Sequence, residues 1–321
     1  MRAGSYRCAS VEGTRPGGVQ VRNRRLGMSA VAVLGAATLL LSACGNPAGT
    51  DGSLTNNWKA MPDAAIPTPV AGACYNVTTD DPASVTKWPA PVECTAAHSV
   101  ETVFVGRFTG DEASQASAPS SGSAGRRTAY ETCATEAKTY LGDDWRNGRL
   151  DLSVVLPIAL HWQGGARWFR CDVMEYKDLN DYDVVQRTAS LKGGLSGERP
   201  VGLGCLTVTV TSDNRVDKMI PIACTSAHNG EFAGVYDLPD GPYPSGEAAR
   251  KARLDGCAPV IAAYAGVPND SELTFRIGWI SSPFSEVEWG LGNHGVRCYA
   301  HKSTNLTKSI KGVGAAGLPA D

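Results

Sequence analysis

Eight cysteines in two matching sets of four place the strongest constraint on how this chain of 321 residues can fold. The intervals are 20, 39 and 38 residues in the first set, and 19, 33 and 41 in the second. The two sets are Cys74, Cys94, Cys133 and Cys171, then Cys205, Cys224, Cys257 and Cys298. An even number of cysteines in each set is typical of a disulfide framework in an exported protein.

Several other residues recur at matching distances from these cysteines. A His follows the second Cys of each set by four residues, and a Glu follows that His by three. The matched pairs are His98 and His228, Glu101 and Glu231, Tyr140 and Tyr264, Gly142 and Gly266, Trp162 and Trp289, Gly165 and Gly292, and Arg170 and Arg297. So many shared landmarks indicate an internal duplication of a unit of roughly 100 residues.

The local pattern favours one disulfide pairing out of the three that each set allows. The segments "GACYNV" and "APVEC" resemble neighbouring strands, which favours Cys74–Cys94. Cys133 lies on a predicted helix and Cys171 on a last strand that should cover it. The same pairing in the second set gives Cys205–Cys224 and Cys257–Cys298. Zinc is the competing interpretation, but tetrahedral zinc sites usually contain two Cys a few residues apart, and neither set has such a pair. We therefore predict no metal site.

Apolar periodicity predicts one helix in each repeat. Tyr130, Cys133, Ala137 and Tyr140 recur at three and four residues, which is the helical period. The second copy repeats this pattern around Cys257, Ile261 and Tyr264. Ser123 and Ser245 are the expected N-caps, and Gly142 and Gly266 the expected ends. Pro259 is expected to kink or shift the second helix.

Alternating apolar residues predict the strands that pack against these helices. The alternation covers Leu150, Leu152 and Val154, and in the second copy Leu273, Phe275, Ile277 and Trp279. The segments "RWFRCDV" and "GVRCYA" are the predicted last strands. The expected fold class is α+β, with two tandem disulfide-stapled modules. Each module would be a small antiparallel sheet with one packed helix.

Residues 22–44, "RNRRLGMSAVAVLGAATLLLSAC", have the features of an export signal. Three Arg precede an apolar run that is short for a membrane span, which needs about 20 apolar residues. The following "LSAC" resembles the bacterial lipobox, in which the Cys is lipidated and the chain is cut just before it. This predicts a lipid on Cys44 and attachment to the extracytoplasmic face of the cell membrane. A true start at a later codon is compatible with this signal.

The expected organisation has six segments. They are a lipoprotein signal peptide at 1–43, the lipidated Cys with a flexible tether at 44–70, module 1 at 71–176, a linker at 177–200, module 2 at 201–303 and a C-terminal tail at 304–321. The first 43 residues hold six Arg and one Glu, so the remainder carries a formal charge of −7. That balance argues against a nucleic-acid partner.

The repeated His and Glu allow a catalytic, a ligand-binding or a structural interpretation. A catalytic His98 would be a general base oriented by Glu101, but residues three apart on a strand point to opposite faces. One His and one Glu also make only half a metal site. The structural hypothesis is favoured: His98 and His228 bond backbone near the disulfide, and Glu101 and Glu231 pair with Arg170 and Arg297. Trp162 and Trp289 are expected to pack in the core or at a sheet edge rather than to stack on sugars. No cofactor is expected.

The frame C…C-x-x-x-H-x-x-E…C…C resembles the septum formation family of exported actinobacterial lipoproteins. The resemblance extends over both copies, from Cys74 to Cys298. The chain departs from the pattern at Ala97 and Ala227, where Pro is expected. The resemblance implies a link with cell division or the envelope and no established chemistry. We expect a non-enzymatic envelope protein that binds another envelope or division protein. The alternative is an envelope enzyme, or a protein that binds a small ligand or metal, using the His and Glu frame.

Overall fold

The computed structural model describes residue 59 and residues 66–78, 88–213 and 215–320. The predicted signal, Cys44 and most of the tether lie outside the described residues. The described part is α+β with two antiparallel sheets, as the sequence predicted. We refer to residues 71–176 as repeat 1 and to residues 201–303 as repeat 2.

Four strands, one long helix and one short helix follow the same order in the two repeats. The strands are β1 Cys74–Tyr75, β2 Val100–Arg107, β3 Leu150–Val155, β4 Trp168–Glu175, β5 Cys205–Val210, β6 Val216–Ile222, β7 His228–Asp237, β8 Gly278–Pro283 and β9 Gly295–Leu306. The helices are α1 Gly110–Ser114, α2 Ala124–Leu141, α3 Ala159–Gln163, α4 Gly246–Ala265, α5 Leu273–Arg276, α6 Glu286–Leu291 and α7 Gly314–Gly317.

Each repeat forms its own sheet with one long helix across it. The strand order is β1-β2-β4-β3 in repeat 1 and β6-β5-β7-β9-β8 in repeat 2. Strands β5, β7, β9 and β8 therefore correspond to β1, β2, β4 and β3, and β6 extends the second sheet at its edge. Helix α2 contacts β2, β3 and β4, and helix α4 contacts β7, β8 and β9.

The two long helices begin and end at the predicted residues. The Ser123 side chain accepts a hydrogen bond from the Arg126 backbone N–H. Both helices end at a glycine with left-handed backbone, Gly142 at φ 91° and Gly266 at φ 73°, a conformation that costs a residue without a Cβ little. Ser245 stands at the N-cap of α4 but makes no capping bond, and α4 continues through Pro259.

Four disulfides join the pairs that the local pattern favoured. They are Cys74–Cys94, Cys133–Cys171, Cys205–Cys224 and Cys257–Cys298. In each repeat the later bridge joins the long helix to the last strand, and both of its cysteines are fully buried. These two bridges therefore fasten the helix to the sheet through the middle of each core.

The alternation predicted from Leu273 to Trp279 is wrong. Leu273–Arg276 is a short helix, and strand β8 begins only at Gly278. Leu273 and Ile277 are both buried, whereas Phe275 is exposed. Residues four apart lie on one face of a helical turn, so the same two apolar residues satisfy a helix as well as a strand.

Repeat 1 and repeat 2 contact each other through polar and aromatic groups. The Trp145 ring lies edge-on to the Phe284 ring, with 5.4 Å between centroids. The Arg146 side chain pairs with Asp237, and the Arg297 Nε donates to the Arg146 carbonyl at 3.0 Å. Phe284 of repeat 2 also packs into the apolar core of repeat 1.

Candidate functional site

His98 and Glu101 meet in a buried pair at the start of β2. His98 Nε2 lies 2.9 Å from Glu101 Oε1, and the two residues are 0 % and 1 % exposed. His98 precedes the strand and is held in an isolated bridge with Arg187. Because His98 lies before the strand, the alternation of side chains between the two faces of a strand does not separate it from Glu101, and the two side chains meet.

The hydrogen bonds around His98 define where its protons lie. His98 Nδ1 is 2.8 Å from the Ala96 carbonyl oxygen. A carbonyl only accepts, so Nδ1 carries a proton and donates to it. This part of the geometry is the backbone bond that the structural hypothesis proposed for the histidine.

The Glu101 carboxylate is saturated by donors from distant parts of the chain. Oε1 accepts from His98 and from the Leu191 backbone N–H at 2.7 Å. Oε2 accepts from the Tyr140 hydroxyl at 2.7 Å and the Ser190 hydroxyl at 2.9 Å. Burial and the bond to Glu101 raise the pKa of Tyr140 to about 12, so this phenol stays a donor. Glu101 thus ties the first long strand to the end of α2 and to the segment after β4.

Repeat 2 contains the same arrangement, atom for atom. His228 Nε2 lies 2.9 Å from Glu231 Oε1, and His228 Nδ1 lies 2.7 Å from the Ser226 carbonyl. Glu231 accepts from the hydroxyls of Tyr264 and Ser309, each at 2.7 Å, and from the Ile310 backbone N–H at 2.9 Å. The pairing of β7 with β9 is irregular between His228 and Gly230, at the very start of β7, so His228 and Glu231 meet at the beginning of the strand as His98 and Glu101 do.

The serines that complete both sites were not predicted from the sequence. Ser190 falls in the segment interpreted as a linker, and Ser309 in the segment interpreted as a tail. Both begin the same short motif, "SLKG" at 190–193 and "SIKG" at 309–312. Comparing the sequence that follows the last cysteine of each set would have revealed this repeat. These segments therefore belong structurally to the sites of the repeats that precede them.

The predicted pairing of each Glu with an Arg is wrong. Glu101 lies opposite Val173 in the sheet, so Arg170, three residues away on β4, faces the other side. Arg170 instead pairs with Asp172 at 2.9 Å. Burial, which outweighs the attraction of Arg170, raises the pKa of Asp172 to about 6. Arg297 bonds the carbonyl of Arg146 in repeat 1.

Trp162 and Trp289 are both buried, in agreement with a packing role. The Trp162 indole N–H donates to the Gln115 carbonyl at 2.9 Å, and that of Trp289 to the Gly241 carbonyl at 2.9 Å. Each indole therefore fastens the loop that follows the first long strand of its repeat. Neither ring offers an open face of the kind on which a sugar stacks.

Each His and Glu pair lies beside a disulfide sulfur. One nitrogen, one oxygen and one sulfur atom of His98, Glu101 and Cys74 lie within 4.8 Å of one another, as do those of His228, Glu231 and Cys205. Such a donor set suits a transition metal only when the sulfur is a thiolate. Both sulfurs are held in disulfides, and the Glu oxygens already accept bonds, so the residues do not fit a metal in this state.

Comparison with known proteins gives a family and distant relatives. Two proteins of Mycobacterium tuberculosis, from strains CDC 1551 / Oshkosh and ATCC 25618 / H37Rv, are 25 % identical over 253 residues, and both are named uncharacterized membrane proteins. The match covers 73 % of this chain and 55 % of each relative, so the chain spans about half the length of the curated relatives it matches. In the part of the chain that the structure describes, no helix has the length and apolar character needed to span a membrane. No solved structure matches this chain.

The family assignment rests on the region that holds both buried sites. The model of the septum formation family matches residues 71–298, which include all eight disulfide cysteines and both His and Glu pairs. Within this region both His and Glu pairs and the Cys133–Cys171 and Cys257–Cys298 bridges are buried, whereas Cys94 is half-buried and Cys224 is exposed. The chain belongs to the septum formation family.

Proposed function

We propose that this chain is a non-catalytic, lipid-anchored envelope protein whose two joined repeats bind another envelope or division protein. The observation that carries the proposal is the enclosure of both His and Glu pairs. Each carboxylate accepts four hydrogen bonds, and both pairs are buried. A general base must reach a proton on its substrate, and these groups offer no such approach.

The sequence and the disulfides together support a location outside the cytosol. Four disulfides are typical of proteins outside the reducing cytosol. The lipobox-like "LSAC" would then hold the chain at the extracytoplasmic face through Cys44. The name of the family suggests division as the setting, and the names of the two relatives suggest a membrane. The acidic remainder of the chain favours a protein partner over nucleic acid.

The alternative is an enzyme or metal-binding protein that uses the His and Glu frame. No contact among the described residues favours it. Changing His98 and His228 together to Ala separates the two ideas. The structural role predicts loss of folding. An intact fold with lost function would favour the second idea.

The test starts from protein extracted from membranes with detergent after chemical cross-linking. We expect a diacylglyceryl mass on Cys44 and recovery of at least one envelope or division protein above the level of an unrelated lipoprotein handled identically. A Cys44→Ser variant is the matched control, and it should lose the lipid mass and leave the membrane fraction. An unlipidated native chain would contradict the anchor. The absence of any envelope partner above background would contradict the binding role.

A further inference from the structure

An open groove lies on the face of repeat 1 that does not carry the His and Glu pair. Its walls are Tyr75, Trp88, Leu156, Ile158, Trp168 and Arg170, and we call it the Trp168 groove. The cavity has a volume of about 400 Å³, and residues 67–69 form one of its sides. That volume lies within the range of sites that bind ligands in proteins.

The charge in the Trp168 groove is internally balanced. Arg170 is 3 % exposed, and its guanidinium lies 3.4 Å above the centre of the Trp88 ring. Its Nε donates to Asp172 at 2.9 Å. Because the carboxylate of Asp172 offsets this cation, an anionic ligand gains little from entering. The groove therefore favours an uncharged ligand that packs on aromatic rings.

A proline-containing segment of this chain already lies against the groove. Pro67 and Pro69 line it, and the Trp168 indole N–H donates to the Pro67 carbonyl at 3.0 Å. Proline-rich segments form extended polyproline II helices, which present carbonyls without competing backbone donors. Aromatic grooves that recognise such segments use the same kind of contact.

Two buried nitrogens of the groove make no hydrogen bond among the described residues, Trp88 Nε1 and Arg170 Nη2, and of these only Arg170 Nη2 lies within ion-pair distance of a carboxylate, that of Asp172 at 2.9 Å. The Trp88 indole N–H is buried and makes no hydrogen bond in the structure. A buried donor without a partner costs free energy that an incoming acceptor recovers. A backbone carbonyl of a ligand that lies in the groove beside residues 67–69 is an acceptor of the required kind.

The corresponding face of repeat 2 contacts repeat 1 of the same chain. Arg297 occupies the position of Arg170, and it stacks over Phe284 at 4.2 Å. This face receives the Trp145 ring and the Arg146 carbonyl of repeat 1. The duplicated fold thus already uses this face to hold an aromatic side chain and a backbone carbonyl. Among the described residues, none of repeat 2 lines the Trp168 groove on the same face of repeat 1.

We propose that the Trp168 groove binds an extended, proline-containing segment of a partner protein. The segment would lie between residues 67–69 and Trp88, with prolyl rings against the aromatic walls and one carbonyl accepting from the Trp88 indole. This inference rests on the proposed binding function and specifies the chemistry of the partner.

The experiment titrates the full chain, purified in detergent, with decaproline in an isothermal calorimeter. A glycine–serine peptide of equal length and chitotetraose are the comparison ligands. We expect saturable binding of decaproline alone. Trp88→Phe removes the indole donor and keeps a ring, and it should weaken binding at least fivefold. Trp279→Phe is the matched control, because that indole bonds the Leu254 carbonyl in repeat 2, and it should leave the affinity within twofold.

Three results would overturn the inference. They are no saturable binding of decaproline, equal binding of the glycine–serine peptide, and binding that Trp88→Phe leaves unchanged. Binding of chitotetraose that depends on Trp88, without binding of decaproline, would replace the peptide with a sugar. If Trp88→Phe still recovers the cross-linked partner from membranes, the groove inference fails while the proposed function stands.

Discussion

Glu101→Ala is expected to lower the free energy of unfolding by about 3–5 kcal/mol, because it leaves several buried donors without an acceptor. His98, Tyr140, Ser190 and the Leu191 N–H all donate to this carboxylate. The measurement is urea unfolding followed by tryptophan fluorescence. Glu231→Ala should cost a similar amount, since its surroundings are the same.

Glu131→Ala is the matched control for this prediction. Glu131 is an exposed glutamate on α2, so its loss should change the free energy of unfolding by less than about 0.5 kcal/mol. A Glu101→Ala variant as stable as Glu131→Ala would show that the buried carboxylate does not hold the repeat together.

Removing the Cys133–Cys171 disulfide is expected to cost about 4 kcal/mol. The bridge closes 38 residues, and the chain-entropy model gives about that value for a loop of this length. Both cysteines are fully buried, so Ala at both positions leaves a cavity that adds to the loss. Chemical unfolding of Cys133→Ala/Cys171→Ala against the native chain measures the effect.

The equivalent bridge of repeat 2 provides an internal comparison. Cys257–Cys298 closes 41 residues in the same position of the fold, so its removal should also cost about 4 kcal/mol. A loss below about 1 kcal/mol in both double variants would mean that the core alone fastens helix to sheet.

Local features of the fold were predictable from the sequence because they depend on neighbouring residues. The caps at Ser123, Gly142 and Gly266 follow from side-chain and backbone chemistry within one turn. The disulfide pairs follow from strands and a helix that are close in sequence. Because the same residues recur at matching distances, each cap and disulfide predicted in the first copy predicted its counterpart in the second.

The partners of the glutamates were not predictable in this way. Ser190 and Ser309 lie 89 and 78 residues from the Glu residues that they bond, and only the finished fold brings them together. The predicted pairing with Arg170 is wrong because the register of β2 and β4 places Arg170 and Glu101 on opposite faces of the sheet. The irregular pairing beside His228 is likewise a property of how β7 and β9 pair rather than of a short sequence window.

The contact between the repeats depends on shape that a periodic pattern does not encode. Trp145 lies edge-on to Phe284, and Arg297 bonds the Arg146 carbonyl. The local sequence around these residues does not mark them as contacts between the repeats. Their complementarity arises only when both sheets are formed, so the sequence left open whether the modules touch.

Chemical modification tests directly whether the repeated histidines are enclosed in the native protein. Native protein treated with diethylpyrocarbonate and mapped by peptide mass should be modified at His161, which is partly exposed, and remain unmodified at His98 and His228. All three should react after unfolding and reduction. Modification of native His98 and His228 as fast as His161 would show open sites, and it would contradict their structural role.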